Sequence, residues 1–327
     1  MISTTVISVP ERVYFMVIVI GDINVDVMMA VSHLPQEGGD ALAHTVTWSN
    51  GGTGLNAATA VARMGGVVRL WGRIGTDAAA NQITEFTTDV RIQMHDIQYD
   101  EHIATGLCVI PVTRSGERTF LSFRGANQYW QLPTQWPTPA GWLMVCGHAL
   151  ISDPQRQSSI RALTYAQQQG WHTVIDVCEP LIPQFTSIMA QLPHALTLLC
   201  GNEAEMHALA KFPVASYAQY CITKQGAAGA TAVSASHTWH APGFVVDAID
   251  TTACGDTFVA VCCYALARGA TLREALTVAN AAGALTACRR GAADIVPTHA
   301  QVCALLHQHA IALPAWLDAH SVTPPTH

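Results

Sequence analysis

Charged side chains are scarce in this sequence, at 12% of its 327 residues, and the formal net charge is −7. No run of Lys and Arg occurs, so the chain lacks the basic surface with which proteins usually bind nucleic acid. Long apolar runs are also missing: residues 13–20 form the longest early one, which is too short to span a bilayer. That run has neither the basic start nor the cleavage-like end of a signal peptide. We therefore expect neither a nucleic acid nor a membrane as a partner.

Common metal-binding and nucleotide-binding motifs are absent too. The ten cysteines include no Cys-x-x-Cys pair, and the fifteen histidines form no His-Glu-x-x-His or similar set. Scattered cysteines in apolar segments, such as Cys146, Cys200 and Cys221, are typical of small buried side chains in a reducing compartment, so we expect a cytoplasmic protein. The chain also lacks Gly-x-x-x-x-Gly-Lys-Ser/Thr and the protein-kinase motifs, which excludes a P-loop enzyme and a protein kinase.

Half of the residues are hydrophobic, enough to bury a large core. Apolar runs of strand length alternate with helical segments, a pattern typical of an α/β fold whose mostly parallel central sheet carries helices on both faces. Shorter alternating segments, among them a hairpin around Ser115 and Gly116, predict a small β-sheet outside the main layer. We expect a single domain over residues 13–313, small-sheet strands from about 24–50 and 91–126, and loose termini at 1–12 and 314–327.

The stretch from Asp250 to Phe258 has the character of an anion-binding helix start. Its small residues Ala253, Cys254 and Gly255 suit a tight turn into a helix that is apolar on all sides and therefore buried. The first turn of such a helix offers free N–H groups and partial positive charge, which bind phosphate. The next residue, Asp256, could simply cap a core helix. A phosphate site beside a carboxylate is also suited to moving a phosphoryl group onto a hydroxyl.

A second glycine-rich stretch opens the helix that begins near Gly51. Gly52, Gly54 and Ala57 fit the dinucleotide fingerprint Gly-x-Gly-x-x-Gly/Ala, and Asp77 is an acid about 20 residues further on. This pattern suggests an NAD-dependent dehydrogenase. The fingerprint should, however, follow the first strand of the fold, and here it follows the second structural block.

Both stretches resemble the signatures of the ribokinase-like (PfkB-type) carbohydrate kinases. The C-terminal signature is usually Asp-Thr-x-Gly-Ala-Gly-Asp-x-Phe, and here Ala253 and Cys254 replace its first Gly and its Ala. The N-terminal signature matches at Gly51, Gly52, Gly54, Asn56, Ala58, Gly65 and Gly75. The resemblance covers roughly residues 14–300. It implies ATP-dependent phosphorylation of a hydroxymethyl group on a sugar, polyol or sugar-like compound. It also implies a β-sheet lid that closes over the sugar and often forms a homodimer contact.

The resemblance gives roles to individual residues. Asp256 would be the general base, beside an anion hole formed by the N–H groups of Ala253, Cys254, Gly255 and Asp256 itself. The sugar hydroxyls would be held by Asn24, Asp26, Gly52, Thr53, Asn56 and Asp256. Ribokinase usually has Lys where this chain has Thr53, so we expect ribose to be a poor substrate. The sugar itself stays open, and a nucleoside kinase of the same fold is an alternative.

ATP and Mg²⁺ are the cofactors that the resemblance implies, with K⁺ as a further ion. The nucleotide would contact Asn202, Glu205, Lys224, Gly226, Gly229, Thr251 and Asn280. Asn202 and Glu205 form an Asn-x-x-Glu motif that would place Mg²⁺ through water, although the same spacing fits a helix capping box. Backbone oxygens near Asp250, Thr252 and Gly291 would bind K⁺. A non-catalytic sugar sensor is a further alternative, but such a protein would most naturally have lost Asp256.

Overall fold

The computed structural model describes residues 16–138 and 141–317. Its strands are β1 (Met16–Ile20), β2 (Asn24–Val31), β3 (Ala43–Gly51), β4 (Val67–Trp71), β5 (Arg73–Gly75), β6 (Gln98–Asp100), β7 (Gly106–Val112), β8 (Leu121–Phe123), β9 (Trp142–Cys146), β10 (His172–Asp176), β11 (Leu196–Asn202), β12 (Ala218–Lys224), β13 (Ala230–Val233) and β14 (Thr238–Ala241). Its α-helices are α1 (Thr53–Arg63), α2 (Ala78–Asp89), α3 (Gln155–Gln168), α4 (Phe185–Met189), α5 (Glu203–Leu209), α6 (Cys254–Ala267), α7 (Leu272–Ala287) and α8 (His299–Gln308).

The central sheet has eight strands in the order β14-β13-β12-β11-β10-β9-β1-β4. The six strands from β12 to β4 are parallel, and β13 and β14 are added antiparallel at one edge. Side chains of β1 alternate between two cores: Val17 and Val19 pack with α1, α6 and α7, whereas Ile18 and Ile20 pack with α3 and α4. This parallel sheet between two cores confirms the predicted α/β fold. A strand covered on both faces must be apolar at every position, which explains the continuous apolar run of β1.

A second, four-stranded sheet has the order β3-β2-β7-β8, and we call it the lid. It begins just beyond the carboxyl end of β1, where Asn24 opens β2. The predicted hairpin is present: β7 and β8 pair antiparallel, and Gly116 adopts a φ of 85° in the turn between them.

One predicted lid strand lies elsewhere. Of the segment 91–99, only its end forms a strand, β6, which pairs with β5 in a separate two-stranded sheet. Before it, His95 and Asp96 form a turn in which the Ile97 N–H donates to Met94 O at 2.9 Å, and the Asp96 carboxylate accepts from Arg69 Nη2 at 2.6 Å. Asp100 ends the strand by accepting from the backbone N–H groups of His102 and Ile103, both at 3.0 Å. The lid strands therefore come from residues 24–51 and 106–123.

The chain ends differ partly from the expectation of loose termini. Residues 315–317 form a 3₁₀ turn, and Leu317 is buried against the core of α6 and α7. Residues 318–327 of the expected tail, and residues 1–12, lie outside the described part of the chain. The single domain over 13–313 stays a prediction. Within residues 16–138 and 141–317, no helix combines the length and the apolar character that crossing a bilayer requires.

Candidate active site

The N-terminus of α6 is a backbone site without a side-chain cap. Ala253 precedes the helix with φ 60°, and no side chain accepts from the first turn. An alanine in this left-handed conformation costs about 1–2 kcal/mol, which explains why the family signature has Gly at this position. The N–H of Cys254 donates to Thr251 O at 3.3 Å. The N–H groups of Gly255 and Asp256 are too near the helix start to have intrahelical acceptors, so they can bind a ligand.

Asp256 lies in that first turn, and Asn56 of α1 contacts it. Asn56 Nδ2 donates to Asp256 Oδ2 at 2.8 Å. Burial raises the pKa of Asp256 to about 6, and the nearby Asp176 carboxylate adds to the rise while the Asn56 hydrogen bond opposes it. The carboxyl group is thus a carboxylate at neutral pH but a stronger base than a surface aspartate, as a general base should be.

A cavity of about 590 Å³ opens from this helix start. It is lined by all seven residues expected to contact the nucleotide, together with Cys254, Gly255 and Asp256. Burial raises the pKa of the Cys254 thiol to about 12, so this side chain is a neutral wall of the cavity. The residues expected to contact the nucleotide therefore share one space with three of the four expected anion-hole residues; Ala253 is not among those that line it.

Lys224 is the cationic side chain of this cavity. Its Nζ lies 2.7 Å from Asp176 Oδ1, at the ends of two strands of the central sheet. Burial tends to lower the pKa of Lys224, but the Asp176 carboxylate outweighs it and the pKa is raised. A Cβ added to Gly255 would lie 3.1 Å from this Nζ, so the glycine leaves room for the ammonium group beside the helix start.

Asn202 and Glu205 form a capping box at the N-terminus of α5, one of the two roles that their spacing predicts. Asn202 Oδ1 accepts from the Glu205 N–H at 2.8 Å, and Glu205 Oε2 accepts from the Asn202 N–H at 2.7 Å. Both side chains also line the cavity, where their oxygens suit a hydrated magnesium ion. Within the described ranges no group of three or more His, Cys, Asp or Glu side chains could hold a metal directly.

Asn280 lines the cavity, but its amide hydrogens are already engaged. Its Nδ2 donates to Ala241 O at 2.9 Å and to Pro242 O at 3.1 Å. These two hydrogen bonds connect α7 to the end of β14. A contact with a nucleotide base could use only its oxygen.

The expected sugar residues lie at the base of the lid. Asn24 Oδ1 accepts from Asn127 Nδ2 at 2.9 Å. Asp26 is 6% exposed, and burial together with the charges of Asp256 and Asp294 raises its pKa to about 7. Gly52 has φ 91°, and a Cβ there would lie 2.4 Å from Asp22 O, so only glycine fits between the two segments.

Two buried polar atoms beside these residues have no hydrogen-bond partner in the described part of the chain, Thr53 Oγ1 and Asn56 Oδ1. Thr53 lines the large cavity. Unsatisfied buried oxygens are uncommon in folded proteins and mark positions where a ligand can complete the hydrogen bonding.

Two arginines that the sequence analysis did not predict lie near the site. Arg124, at the end of β8, makes two 2.8 Å hydrogen bonds to the carboxylate of Asp22, which follows β1. Arg118, in the β7–β8 connection, contacts the turn before α6, where its Nη2 donates to Thr251 Oγ1 at 2.7 Å. The only signal was that Arg118 belongs to the stretch Gly116–Phe120, which resembles a lid segment.

Comparison with known proteins decides the family. The model of the pfkB family of carbohydrate kinases matches residues 15–299. This chain belongs to the pfkB family. It is a phosphotransferase that acts on an alcohol group.

The similar proteins include several sugar kinases. The aminoimidazole riboside kinase of Salmonella typhimurium is 26% identical over 80% of this chain and 89% of its own length. The ribokinase of Bacillus subtilis is 28% identical over 88% of this chain and 98% of its own. A double mutant of fructokinase from Vibrio cholerae, solved with fructose, ADP and potassium, superposes with a TM-score of 0.73 at 24% identity, covering 90% of this chain and 98% of that one. The structural likeness bears out the ribokinase-like fold.

Proposed function

We propose that this pfkB-family protein transfers the γ-phosphoryl group of ATP to a hydroxymethyl group of an uncharged sugar or nucleoside. The observation that carries the proposal is the position of Asp256. Its carboxylate lies where the nucleotide cavity, the N-terminus of α6 and Asn56 of α1 meet. A general base and a phosphate site must be adjacent for a hydroxyl to attack the γ-phosphorus.

The reaction follows from these positions. Asp256 accepts the proton of the attacking hydroxyl, with Asn56 keeping the carboxylate oriented through its 2.8 Å hydrogen bond. The N–H groups of Gly255 and Asp256 stabilise the charge on the transferred phosphoryl oxygens. Lys224, held by Asp176, adds a positive charge beside the same helix start. Asn24, Asp26 and the other predicted sugar residues would orient the acceptor hydroxyl.

The cavity suits the expected magnesium ion, which its side chains would bind through water molecules. Asn202 and Glu205 offer side-chain oxygens there, while Asp176 and Asp256 add negative charge. When bound, magnesium neutralises phosphate charge in such reactions.

The expected potassium site stays a prediction. The prediction uses backbone oxygens near Asp250, Thr252 and Gly291, and a cationic side chain already lies at this turn. The guanidinium of Arg118 donates to the carboxylate of Asp250 and to Thr252 Oγ1. Its positive charge would repel a bare cation at the same turn.

An uncharged acceptor suits the charges around the sugar residues. Asp26, Asp256 and Asp294 lie close enough that the last two raise the pKa of the first. A carboxylate or phosphate on the substrate would add repulsion to this group. The likeness to an aminoimidazole riboside kinase keeps a nucleoside as the alternative to a simple sugar.

The direct test is ADP release from ATP with a panel of neutral sugars, nucleosides and sugar acids, followed by mass spectrometry of the product. We expect one neutral compound to give a monophosphate at its hydroxymethyl oxygen. ADP release that no acceptor stimulates would contradict the proposal. A binding screen that preferred NAD(H) over ATP would instead support the dehydrogenase alternative.

The dependence of the rate on pH gives a second test. Since the pKa of Asp256 is raised to about 6, its basic form is lost as the pH falls through that value. We expect kcat/KM to decline about tenfold per pH unit below pH ~6. Asp176→Asn removes the carboxylate that, after burial, contributes most to the raised pKa of Asp256 and should move this decline to lower pH. A flat profile from pH 5 to 8 would contradict a titrating general base.

The outward face of the lid is the proposed homodimer contact. On that face Trp48 lies opposite Val27, and Val109 lies opposite both Val27 and Leu121. Trp48 and Leu121 are each 61% exposed. An apolar sheet face that is open to water favours pairing with a second copy.

We expect the wild type to sediment at twice the 34.9 kDa of one chain. Trp48→Glu should halve that mass, because it would place a charge in the apolar contact. Val233→Glu, on an exposed residue of β13 in the central sheet, is the matched control. A wild type that remains monomeric as its concentration is raised would rule the contact out.

We also propose a cytoplasmic location, since Cys146, Cys200 and Cys262 are buried free thiols of the kind that a reducing compartment preserves.

A further inference from the structure

Arg118 joins the lid to the turn that precedes the anion hole. It lies 132 residues before Asp250 in the sequence, yet its Nη1 contacts both Asp250 Oδ1 and Thr252 Oγ1. Its Nη2 donates to Thr251 Oγ1 at 2.7 Å. The Arg118 side chain is 23% exposed and that of Asp250 only 4%, so water screens the ion pair little.

Asp250 is the centre of this turn. Its Oδ1 also accepts from Thr252 Oγ1 at 2.7 Å and from the Thr252 N–H at 2.9 Å. Its Oδ2 accepts from the Gly291 N–H at 3.4 Å. A buried carboxylate needs a positive partner as well as hydrogen bonds, and Arg118 is the cation that the described part of the chain places on it.

The turn leads directly into the phosphate site. Thr251 O accepts from the Cys254 N–H, and the next two residues are Gly255 and Asp256. Any change in the Asp250 carboxylate would therefore shift the helix start and its general base. Displacements of about 1 Å at a reacting group can cost on the order of 100-fold in rate.

We propose that Arg118 is a positioning residue for phosphoryl transfer, whose guanidinium supplies at this turn the positive charge that would otherwise come from a bound monovalent cation. The inference rests on the proposed kinase function. It accounts for the presence of a guanidinium on the side chains of Asp250 and Thr252, at the turn where potassium was expected. Because Arg118 lies in the connection between two lid strands, this positive charge reaches the turn from the lid.

The experiment compares Arg118→Met with Arg118→Lys and with the control Arg114→Met. Arg114 is an exposed arginine of the same hairpin, outside the site. Rates are measured in tetramethylammonium, potassium and dilute guanidinium salts at equal ionic strength.

We expect the wild type and Arg114→Met to have the same kcat in all three salts. Arg118→Met should lose about 10- to 100-fold in kcat in tetramethylammonium, and guanidinium or potassium should restore part of it. Arg118→Lys should lie between the two.

Thermal unfolding supplies a readout that does not need activity. Potassium and guanidinium, relative to tetramethylammonium, should raise the Tm of Arg118→Met but not that of the wild type, because only the variant has a vacant cation position. If Arg118→Met does not fold, the double variant Arg118→Met with Asp250→Asn removes both charges and should fold with no cation-dependent Tm.

Three results would overturn the inference: a wild type that needs potassium, an Arg118→Met enzyme as fast as the wild type, or a slow variant that neither ion restores or stabilises. If no acceptor gave activity with the wild type, the kinase proposal would fail, while the Tm comparison would still decide whether Arg118 occupies a cation position.

Discussion

Replacing Asp256 by Asn is expected to lower kcat by about 10²–10⁴-fold and to leave ATP affinity nearly unchanged. The substitution keeps the shape of the side chain and its contact with Asn56, whose Nδ2 now donates to Asp256 Oδ2 at 2.8 Å. It removes the carboxylate that we propose accepts the hydroxyl proton. The N–H groups of the α6 helix start stay in place, so the phosphate site should still bind.

The measurement pairs single-turnover kinetics with calorimetric titration of ATP. Asp247→Asn is the matched control: Asp247 is an exposed aspartate in the segment before α6, and we expect wild-type rates from it. The acid limb of the pH profile should vanish together with the activity. A variant that kept more than about a tenth of wild-type turnover on its best substrate would show that Asp256 is not the general base.

The fold was largely predictable because its signals are local. Apolar runs of strand length, such as Trp142–Cys146, and capping residues, such as Thr271 before α7, are set by neighbours in the sequence. The same holds for the α6 helix start, where small residues precede an apolar helix. The seven nucleotide residues also share one cavity, since several of them follow parallel strands at the same edge of the sheet.

The errors and omissions concern contacts and side-chain directions that the sequence pattern does not show. The segment 91–99 has strand-like alternation, but His95 and Asp96 form a turn, and the Asp96 carboxylate binds Arg69, which lies 27 residues earlier. The contact of Arg118 with Asp250 spans 132 residues and leaves no trace in either local sequence. The capping function of Asn202 and the fastening function of Asn280 also depend on geometry, because each side chain could as well have pointed freely into the cavity.

Thr53 should make ribose a poor substrate. Lysine is usual at this position in ribokinase, where it would bring a charged donor, whereas threonine is shorter and neutral. The buried Thr53 Oγ1 has no nitrogen or oxygen partner among the described residues, and the Cys146 thiol beside it is a weak one, so it is open to a hydrogen bond from a ligand. A pocket that lacks a charged hydrogen bond to one hydroxyl should lose about 1.5–3 kcal/mol for a sugar that requires it, or roughly ten- to a hundredfold in kcat/KM. Sites built for particular hydroxyls discriminate strongly when a partner is missing.

Steady-state kinetics on ribose, fructose, adenosine and a 2-keto-3-deoxy sugar acid measure this effect. We expect another sugar, a hexose such as fructose, or a nucleoside to exceed ribose by at least about tenfold. The sugar acid should also be poor, because its carboxylate would meet Asp26, Asp256 and Asp294. Burial, together with the charges of Asp256 and Asp294, already raises the pKa of Asp26 to about 7. Thr53→Lys should shift the preference toward ribose, while Thr53→Ser, which keeps the hydroxyl, should not. If ribose gave the highest kcat/KM of the wild-type panel, Thr53 would not face the sugar, and its unpartnered hydroxyl would have to serve the phosphate side of the cavity.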